Sequence, residues 1–215
     1  MSRSQIAYSP GVLRLYDFVA YRVDAPLLWR CPVGELLDIY DARISARHLD
    51  VGVGTGYLLD RCRFPVAAPR ITLMDLNPGP LAFASRRLQR YAPRSHRADM
   101  LEPWRLPPAS FDSIALSNVL VCAAGPLPHK AALAFEQARQ CLSPGGCVFG
   151  ATVLNGGVEH TRRSRFALKA LNRRGVFDNL DDHRDDLEAA LAAAFGSYEI
   201  KVRGSVALFL AWTEG

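Results

Sequence analysis

Three glycines at alternate positions follow an aspartate in the segment His48-Leu-Asp-Val-Gly-Val-Gly-Thr-Gly-Tyr57. The residues before the glycines predict a short strand, and Tyr57 to Cys62 predicts the start of a helix. Glycine adopts positive φ without strain and allows a ligand to approach the backbone closely. Asp50, at the end of the strand, can fix the loop and reach an amino group of that ligand. We therefore predict that Asp50, Gly52, Gly54 and Gly56 hold a cofactor across the carboxyl edge of a sheet.

The loop differs from the loops that bind phosphate groups. The dinucleotide pattern Gly-x-Gly-x-x-Gly needs a third glycine where this chain has Tyr57, and the loop lacks the Lys and Ser/Thr of a P-loop. S-adenosylmethionine (SAM) carries no phosphate, so an acidic residue just before the glycines suits it. The loop therefore favours SAM, while a nicotinamide cofactor stays open as the alternative.

Two further acidic residues follow predicted strands. Asp75 ends the apolar strand from Ile71 to Leu76, 25 residues after Asp50, and a carboxylate there can accept both hydroxyls of a ribose. Asn77, before a proline, is the better N-cap for the next helix, which leaves Asp75 free for a ligand. Asp99 follows a short edge strand and could accept from an adenine amino group. The remaining members of the predicted cofactor site are Leu76, Met100, Ser117 and Asn118.

Strands and helices alternate along the chain, which predicts a mainly parallel sheet covered on both faces. We predict N-terminal helices within residues 10–42, a helix from His129 to Leu142 that ends at a Ser-Pro-Gly-Gly turn, and a strand over 147–153. A helix over 185–195 should be capped by Asp181 or Asp182. Two strands around Gly204-Ser205 predict a closing antiparallel hairpin.

The composition suits a single α/β domain of 215 residues, of which 49% are hydrophobic. The five scattered cysteines include no Cys-x-x-Cys pair, so we expect reduced thiols, no metal site and a cytoplasmic location. No apolar run approaches the roughly 20 residues that span a bilayer. The net charge of +5 gathers in arginine clusters over 86–97 and 162–174, which we interpret as solvated helix faces rather than as a nucleic-acid or anionic-substrate site.

Taken in order, these motifs resemble the class I SAM-dependent methyltransferases over roughly residues 45 to 213. Asp50 to Gly56 resembles the family's first motif, Asp75 its ribose-binding acid and Asp99 its adenine-contacting acid. The resemblance implies an α/β, Rossmann-like fold with a seven-stranded mixed sheet of order 3-2-1-4-5-7-6, strand 7 antiparallel, and helices on both faces. It also implies SAM as the cofactor and S-adenosylhomocysteine as its product.

A narrower likeness is to a group of small microbial methyltransferases. It is carried by the segments Trp29-Arg-Cys-Pro32, His48 to Tyr57, Phe149-Gly-Ala-Thr152 and Asn172-Arg-Arg-Gly-Val-Phe-Asp-Asn179. That group often has a histidine after the fourth strand, where this chain has Val121. The departure puts a shared acid–base role at this position in doubt.

The expected activity is methyl transfer (an EC 2.1.1-type reaction) to an oxygen, nitrogen or carbon atom of a small molecule, with a place in secondary metabolism. If a general base exists, the candidates are His129 and His160, which follow the fourth and fifth strands. We expect residues 1–44 and the insertion 156–180 to form a lid over the core of residues 45–215, with an acceptor contacting Tyr8, Tyr16 and Trp29.

Other activities stay open on the sequence alone. A cyclase or decarboxylase could use SAM without methylating, and the arginine clusters leave an RNA methyltransferase as a further alternative. We favour a small-molecule acceptor over nucleic acid, no membrane partner, and a monomer or homodimer.

Overall fold

The computed structural model describes residues 26–214, arranged as six α-helices and seven strands. Predictions on Tyr8, Tyr16 and helices before residue 26 lie outside the described residues. The helices are α1 (Val33–Arg43), α2 (Tyr57–Arg61), α3 (Pro78–Arg87), α4 (Leu127–Cys141), α5 (Arg162–Arg173) and α6 (Arg184–Ala194). The strands are β1 (Arg47–Val51), β2 (Arg70–Asp75), β3 (Arg94–Arg97), β4 (Phe111–Ser117), β5 (Leu142–Val153), β6 (Ser197–Arg203) and β7 (Val206–Trp212).

The strands form one sheet in the order β3-β2-β1-β4-β5-β7-β6. The first five run parallel, and β7 is antiparallel to both β5 and β6. This confirms the predicted strand order and the antiparallel closing hairpin. From β1 the chain first adds β2 and β3 on one side of the sheet and then β4 and β5 on the other. The point between β1 and β4 where the strand order reverses opens a crevice at the carboxyl ends of the strands.

Each face of the sheet carries its own apolar core. On one face α4 and α6 bury Phe135, Leu187 and Leu191 against β4, β5 and β7. On the other face α1, α3 and α5 bury Tyr40, Leu81 and Leu168 against the same sheet. Burial on both faces explains the continuous apolar run in β7.

Two local predictions were wrong in detail. Strand β5 begins at Leu142, which pairs with Phe111, and the Pro-Gly-Gly segment makes an irregularity within the strand before Cys147 pairs with Ser113. The N-cap of α6 is His183, and no side chain caps the helix. Asp182 is used elsewhere because its carboxylate lies 2.9 Å from the buried ammonium of Lys130.

The two segments predicted to form a lid meet at the carboxyl edge of the sheet. Trp29 packs against Phe177 with ring centroids 5.9 Å apart, and the Trp29 carbonyl accepts from Ser205 N in the β6–β7 turn. That turn lies beside Val153, the last residue of β5. Over residues 26–214, no helix is both long and apolar enough to cross a membrane.

Candidate cofactor site and active site

The glycine loop turns sharply between β1 and α2. All three predicted glycines have positive φ: 68° at Gly52, 55° at Gly54 and 71° at Gly56. A side chain at Gly52 would overlap Val119, whereas a Cβ on Gly54 would meet nothing nearer than 3.9 Å. Gly52 is therefore packed tightly against Val119, whereas the space beside Gly54 is free for a ligand.

Asp50 lies beneath this loop, in the core between β1 and α1. Its Oδ2 accepts a hydrogen bond from Tyr40 Oη at 2.9 Å, and His48 Nε2 lies 3.7 Å from the same oxygen. His48 Nδ1 is in turn 2.8 Å from Ser113 Oγ. Asp50 is 5% exposed, so these partners fix its orientation, and its contact with a ligand amino group stays a prediction.

Asp75 closes the glycine loop from the neighbouring strand. Its Oδ2 accepts from Gly54 N at 3.2 Å, and its Oδ1 accepts from Asn77 N at 2.9 Å. Asn77 is the N-cap residue of α3, as predicted, although its side chain makes no capping bond. Burial raises the pKa of Asp75 above its ordinary value, and the two backbone donors oppose this only in part.

Three of the predicted cofactor-binding residues, Leu76, Asp99 and Met100, have different surroundings. Leu76 is 52% exposed at the end of β2, which leaves an apolar surface open for a ring. Asp99 Oδ1 accepts from Leu101 N at 3.0 Å. Met100 belongs to the buried core, and its carbonyl accepts from Trp104 Nε1. Of the two apolar residues, Leu76 is thus the one with surface to offer a ring.

The end of β4 carries a polar atom with no partner. Ser117 Oγ is buried and finds no hydrogen-bond partner among residues 26–214. The next residue, Asn118, has a φ of 58°, which is unusual for a residue other than glycine. An orphaned hydroxyl beside a residue with positive φ at the switch point, together with the open Gly54 and the half-buried Asp75, fits a polar ligand such as SAM.

The two candidate bases differ in how they are engaged. His160 Nε2 is 3.0 Å from the Leu154 carbonyl, and its Nδ1 is 3.1 Å from Ser205 Oγ. Both nitrogens therefore hold the segment after β5 to the β6–β7 turn, and the structure disfavours His160 as a base. His129 lies in the first turn of α4 with an exposed side chain, so it stays the one open candidate of the pair.

Trp29 does not form an open acceptor surface. It is 7% exposed because it is packed against Phe177. The structure thus corrects its predicted role from direct acceptor contact to packing between the two lid segments.

Sequence reasoning missed three residues that shape this edge of the sheet. Tyr40 orients Asp50, Val119 packs over Gly52, and Lys130 joins the segments that follow β4 and α5. Each contact joins two different elements whose packing decides the pairing, so no local spacing could reveal them. Within residues 26–214, no group of three or more metal-ligating side chains comes together.

Comparisons with known proteins agree with this geometry. A family model described as a methyltransferase domain matches residues 49–148. The chain is 43% identical over 209 residues to demethylluteothin O-methyltransferase of Streptomyces thioluteus, covering 97% of this chain and 90% of the relative. It is 36% identical to the physcion biosynthesis cluster O-methyltransferase of Aspergillus chevalieri, covering 95% and 92% respectively.

The solved structures include an O-methyltransferase family protein from Burkholderia thailandensis. It superposes with a TM-score of 0.64 over 85% of this chain and 56% of that chain, at 16% sequence identity. This likeness supports the fold, and the sequence relatives support the family. The chain therefore belongs to the class I SAM-dependent methyltransferases, and SAM is its cofactor.

Proposed function

We propose that this chain transfers the methyl group of SAM to a hydroxyl oxygen of a small secondary metabolite. The observation that most supports an oxygen acceptor is the 43% identity with an O-methyltransferase across 97% of this chain. That alignment extends well beyond the glycine loop, into the segments at the carboxyl edge that are expected to select the acceptor. The Aspergillus relative, also an O-methyltransferase by name, matches over a similar extent.

The bound cofactor supplies a methyl group already activated by its sulfonium, so the protein must mainly position the acceptor and exclude water. In our proposal Asp75 accepts both ribose hydroxyls, and Leu76 and Asp99 contact the adenine. Gly54 lets the cofactor lie against the loop backbone. Ser117 and Asn118 line the space next to the reacting carbon.

A general base would help to deprotonate a hydroxyl acceptor, and we propose His129 for this role. It stands where α4 begins after β4, at the carboxyl edge of the sheet. Replacing it with glutamine should lower kcat by about 10²–10⁴-fold if it removes the acceptor proton. A smaller loss would mean that positioning alone drives transfer.

We also propose that residues 1–215 form a single domain in which 1–44 and 156–180 cover the acceptor. The contact between Trp29 and Phe177, one residue from each segment, supports this arrangement. Tyr8 and Tyr16 stay candidate acceptor contacts. A monomer or homodimer and a cytoplasmic location stay predictions.

The deciding experiment is turnover of methyl-labelled SAM against a panel of phenols, aliphatic alcohols, carboxylates and amines. Label in a phenol or alcohol product, absent with Asp75→Ala protein, would support the proposal. Transfer only to amines or carboxylates would overturn the oxygen assignment while leaving the family intact. SAM binding without any label transfer would favour the non-methylating alternative.

A further inference from the structure

Lys130 is a fully buried cation near the start of α4. Its side chain is 0% exposed, and its ammonium lies 2.9 Å from Asp182 Oδ2, a carboxylate that is itself 1% exposed. The ammonium also donates to the carbonyls of Asp178 at 2.6 Å and Ala123 at 3.4 Å. Burying an ion pair costs several kcal/mol per ion unless hydrogen bonds compensate it, so its presence alone is weak evidence of a stabilising role.

The three residues whose oxygens surround the Lys130 ammonium belong to two segments far apart in sequence. Ala123 lies in the segment that follows β4, and Asp178 and Asp182 lie in the segment 176–182 that follows α5. The same segments are joined by two further bonds: Asp178 N donates to the Val121 carbonyl, and Gly125 N donates to Asp178 Oδ2, both at 2.9 Å. Lys130 thus stands at the centre of one polar junction.

The segment 176–182 is also fixed to the carboxyl end of β5. The side chain of Asn179 donates to the Val153 carbonyl at 2.8 Å, and the Asp182 carbonyl accepts from Asn155 N at 3.0 Å. Its apolar side chains Val176 and Leu180 remain exposed, at 39% and 45%. The junction therefore holds apolar surface next to the strand ends where an acceptor must approach the cofactor.

We propose that Lys130 is a positioning residue that sets the acceptor-side wall formed by residues 121–125 and 176–182. This inference rests on the proposed function, since it assigns the wall to the same methyl-transfer site. A hydrophobic residue in place of Lys130 could fill the space, but it could not direct two backbone carbonyls and a carboxylate to one point. Lys130 acts on acceptor binding and does not touch the cofactor cradle on β1 and β2.

Three variants test the proposal: Lys130→Met, Asp182→Asn and the double variant. Each single variant leaves one buried charge unpaired and should lower Tm, whereas the double variant should recover much of that loss. Glu188→Gln is the matched control, because it breaks only the exposed Arg184–Glu188 ion pair nearby. The measurements are Tm, the Kd for SAM by calorimetry, and kcat and KM for the best acceptor.

For Lys130→Met and the double variant we expect acceptor KM to rise by about tenfold or more through misplacement of the wall. The Kd for SAM should stay within about twofold of the parent value, because the cradle is intact. Recovery of both Tm and acceptor KM in the double variant would overturn the proposal, since Lys130 would then serve stability alone. A parallel rise in the Kd for SAM would overturn it as well.

Amide hydrogen exchange separates this proposal from the proposed function. If no acceptor on the panel is methylated, the proposed function fails, but exchange at Asp178 N and Gly125 N can still be measured. We expect faster exchange at both amides in the double variant, with the amides of β1 unchanged. Unchanged protection at Asp178 and Gly125 would overturn the junction itself.

Discussion

The hydroxyl of Ser117 has no hydrogen-bond partner among residues 26–214, so its removal should affect stability and SAM binding in opposite directions. Ser117→Ala removes a buried hydroxyl without a partner, so the protein without cofactor should be equally stable or more stable by about 1 kcal/mol. If that hydroxyl bonds the cofactor, the affinity for SAM should fall by about three- to tenfold. Calorimetry and thermal unfolding measure the two effects.

Thr152→Val provides the matched control for Ser117→Ala. Thr152 Oγ1 is also buried without a partner among residues 26–214. Thr152 follows Ala151, the β5 residue that pairs with Ser117, so its side chain points to the opposite face of the sheet. The Thr152 variant should leave SAM affinity unchanged, and an equal loss in both variants would contradict our placement of the cofactor.

Asp75 should control SAM affinity through its charge. In Asp75→Asn the shape is kept, but the side chain can no longer accept two hydroxyls as a carboxylate, and we expect the Kd for SAM to rise by about 10- to 100-fold. Equilibrium binding of SAM to both proteins at neutral pH measures the change. Equal affinities would remove Asp75 from the site.

The pH dependence of binding gives a second test of Asp75. Burial raises its pKa, so the protonated form, which accepts less well, appears at a higher pH than for an ordinary aspartate. As pH falls through this raised pKa, SAM affinity should fall, and this acid limb should vanish in Asp75→Asn. Because the pKa of Asp75 is higher in the folded protein, protonation of this carboxylate favours folding. A fall in SAM affinity at low pH therefore cannot come from unfolding caused by Asp75.

Sequence spacing predicted where the glycine loop and Asp75 lie better than it predicted the partners of the site residues. The glycines and Asp75 follow strands at regular intervals, and parallel strands bring their ends to one edge, so Gly54 N and the Asp75 carboxylate meet as their positions imply. The Tyr40–Asp50 bond joins two elements whose mutual orientation depends on packing. The contacts made by both nitrogens of His160 could not be predicted either, because a histidine after a strand looks the same in sequence whether its nitrogens are free or hydrogen-bonded.

At the scale of elements, the turn between β1 and α2 depends on the packing of Val119 over Gly52. Gly52→Ala would place a methyl group into the Val119 side chain at a φ of 68°. We expect a loss of stability of about 1–3 kcal/mol and weaker SAM binding. Chemical denaturation and calorimetry measure the two losses.

Gly34→Ala is the control for that substitution. Gly34 lies in α1, and a Cβ there meets nothing within 4 Å. Because Gly34 lies in the first turn of α1, alanine should stabilise the protein by less than the roughly 0.5–1 kcal/mol of a helix interior, without a change in SAM affinity. If both variants had the same effect, the close packing of Val119, which follows β4, against Gly52 would be contradicted.

Helices and strands were predicted well where hydrophobic residues recur at regular spacing. They were predicted poorly where contacts with distant parts of the chain determine where an element begins or ends. Leu142 looked like the end of a helix, yet it pairs with Phe111 and starts β5 before the Pro-Gly-Gly irregularity. The predicted N-cap of α6 was wrong because the Asp182 carboxylate pairs with a buried lysine 52 positions earlier. Hydrophobic spacing reports which face is buried, but it does not report which strand or charge lies opposite.

At the scale of the whole molecule, the net charge is +5, and some of the arginines in the two clusters have partners within the chain. In the cluster over 86–97, Arg90 pairs with Asp60 at 2.6 Å, and Arg97 donates to the Leu76 carbonyl at 3.1 Å. In the cluster over 162–174 the side chains of Arg162, Arg163 and Arg165 are exposed. Part of the positive charge is thus paired or hydrogen-bonded within the chain, and part of it is exposed on α5.

This distribution predicts weak and salt-sensitive RNA binding without RNA methylation. Phosphate contacts made by scattered arginines release counterions, so affinity should fall steeply as salt rises from about 50 to 200 mM. Binding of an unstructured RNA should therefore be lost near physiological salt, and labelled SAM should leave no methyl group on it. Arg162→Gln with Arg163→Gln should weaken the low-salt binding. RNA that stays bound at high salt and gains label would contradict the small-molecule assignment.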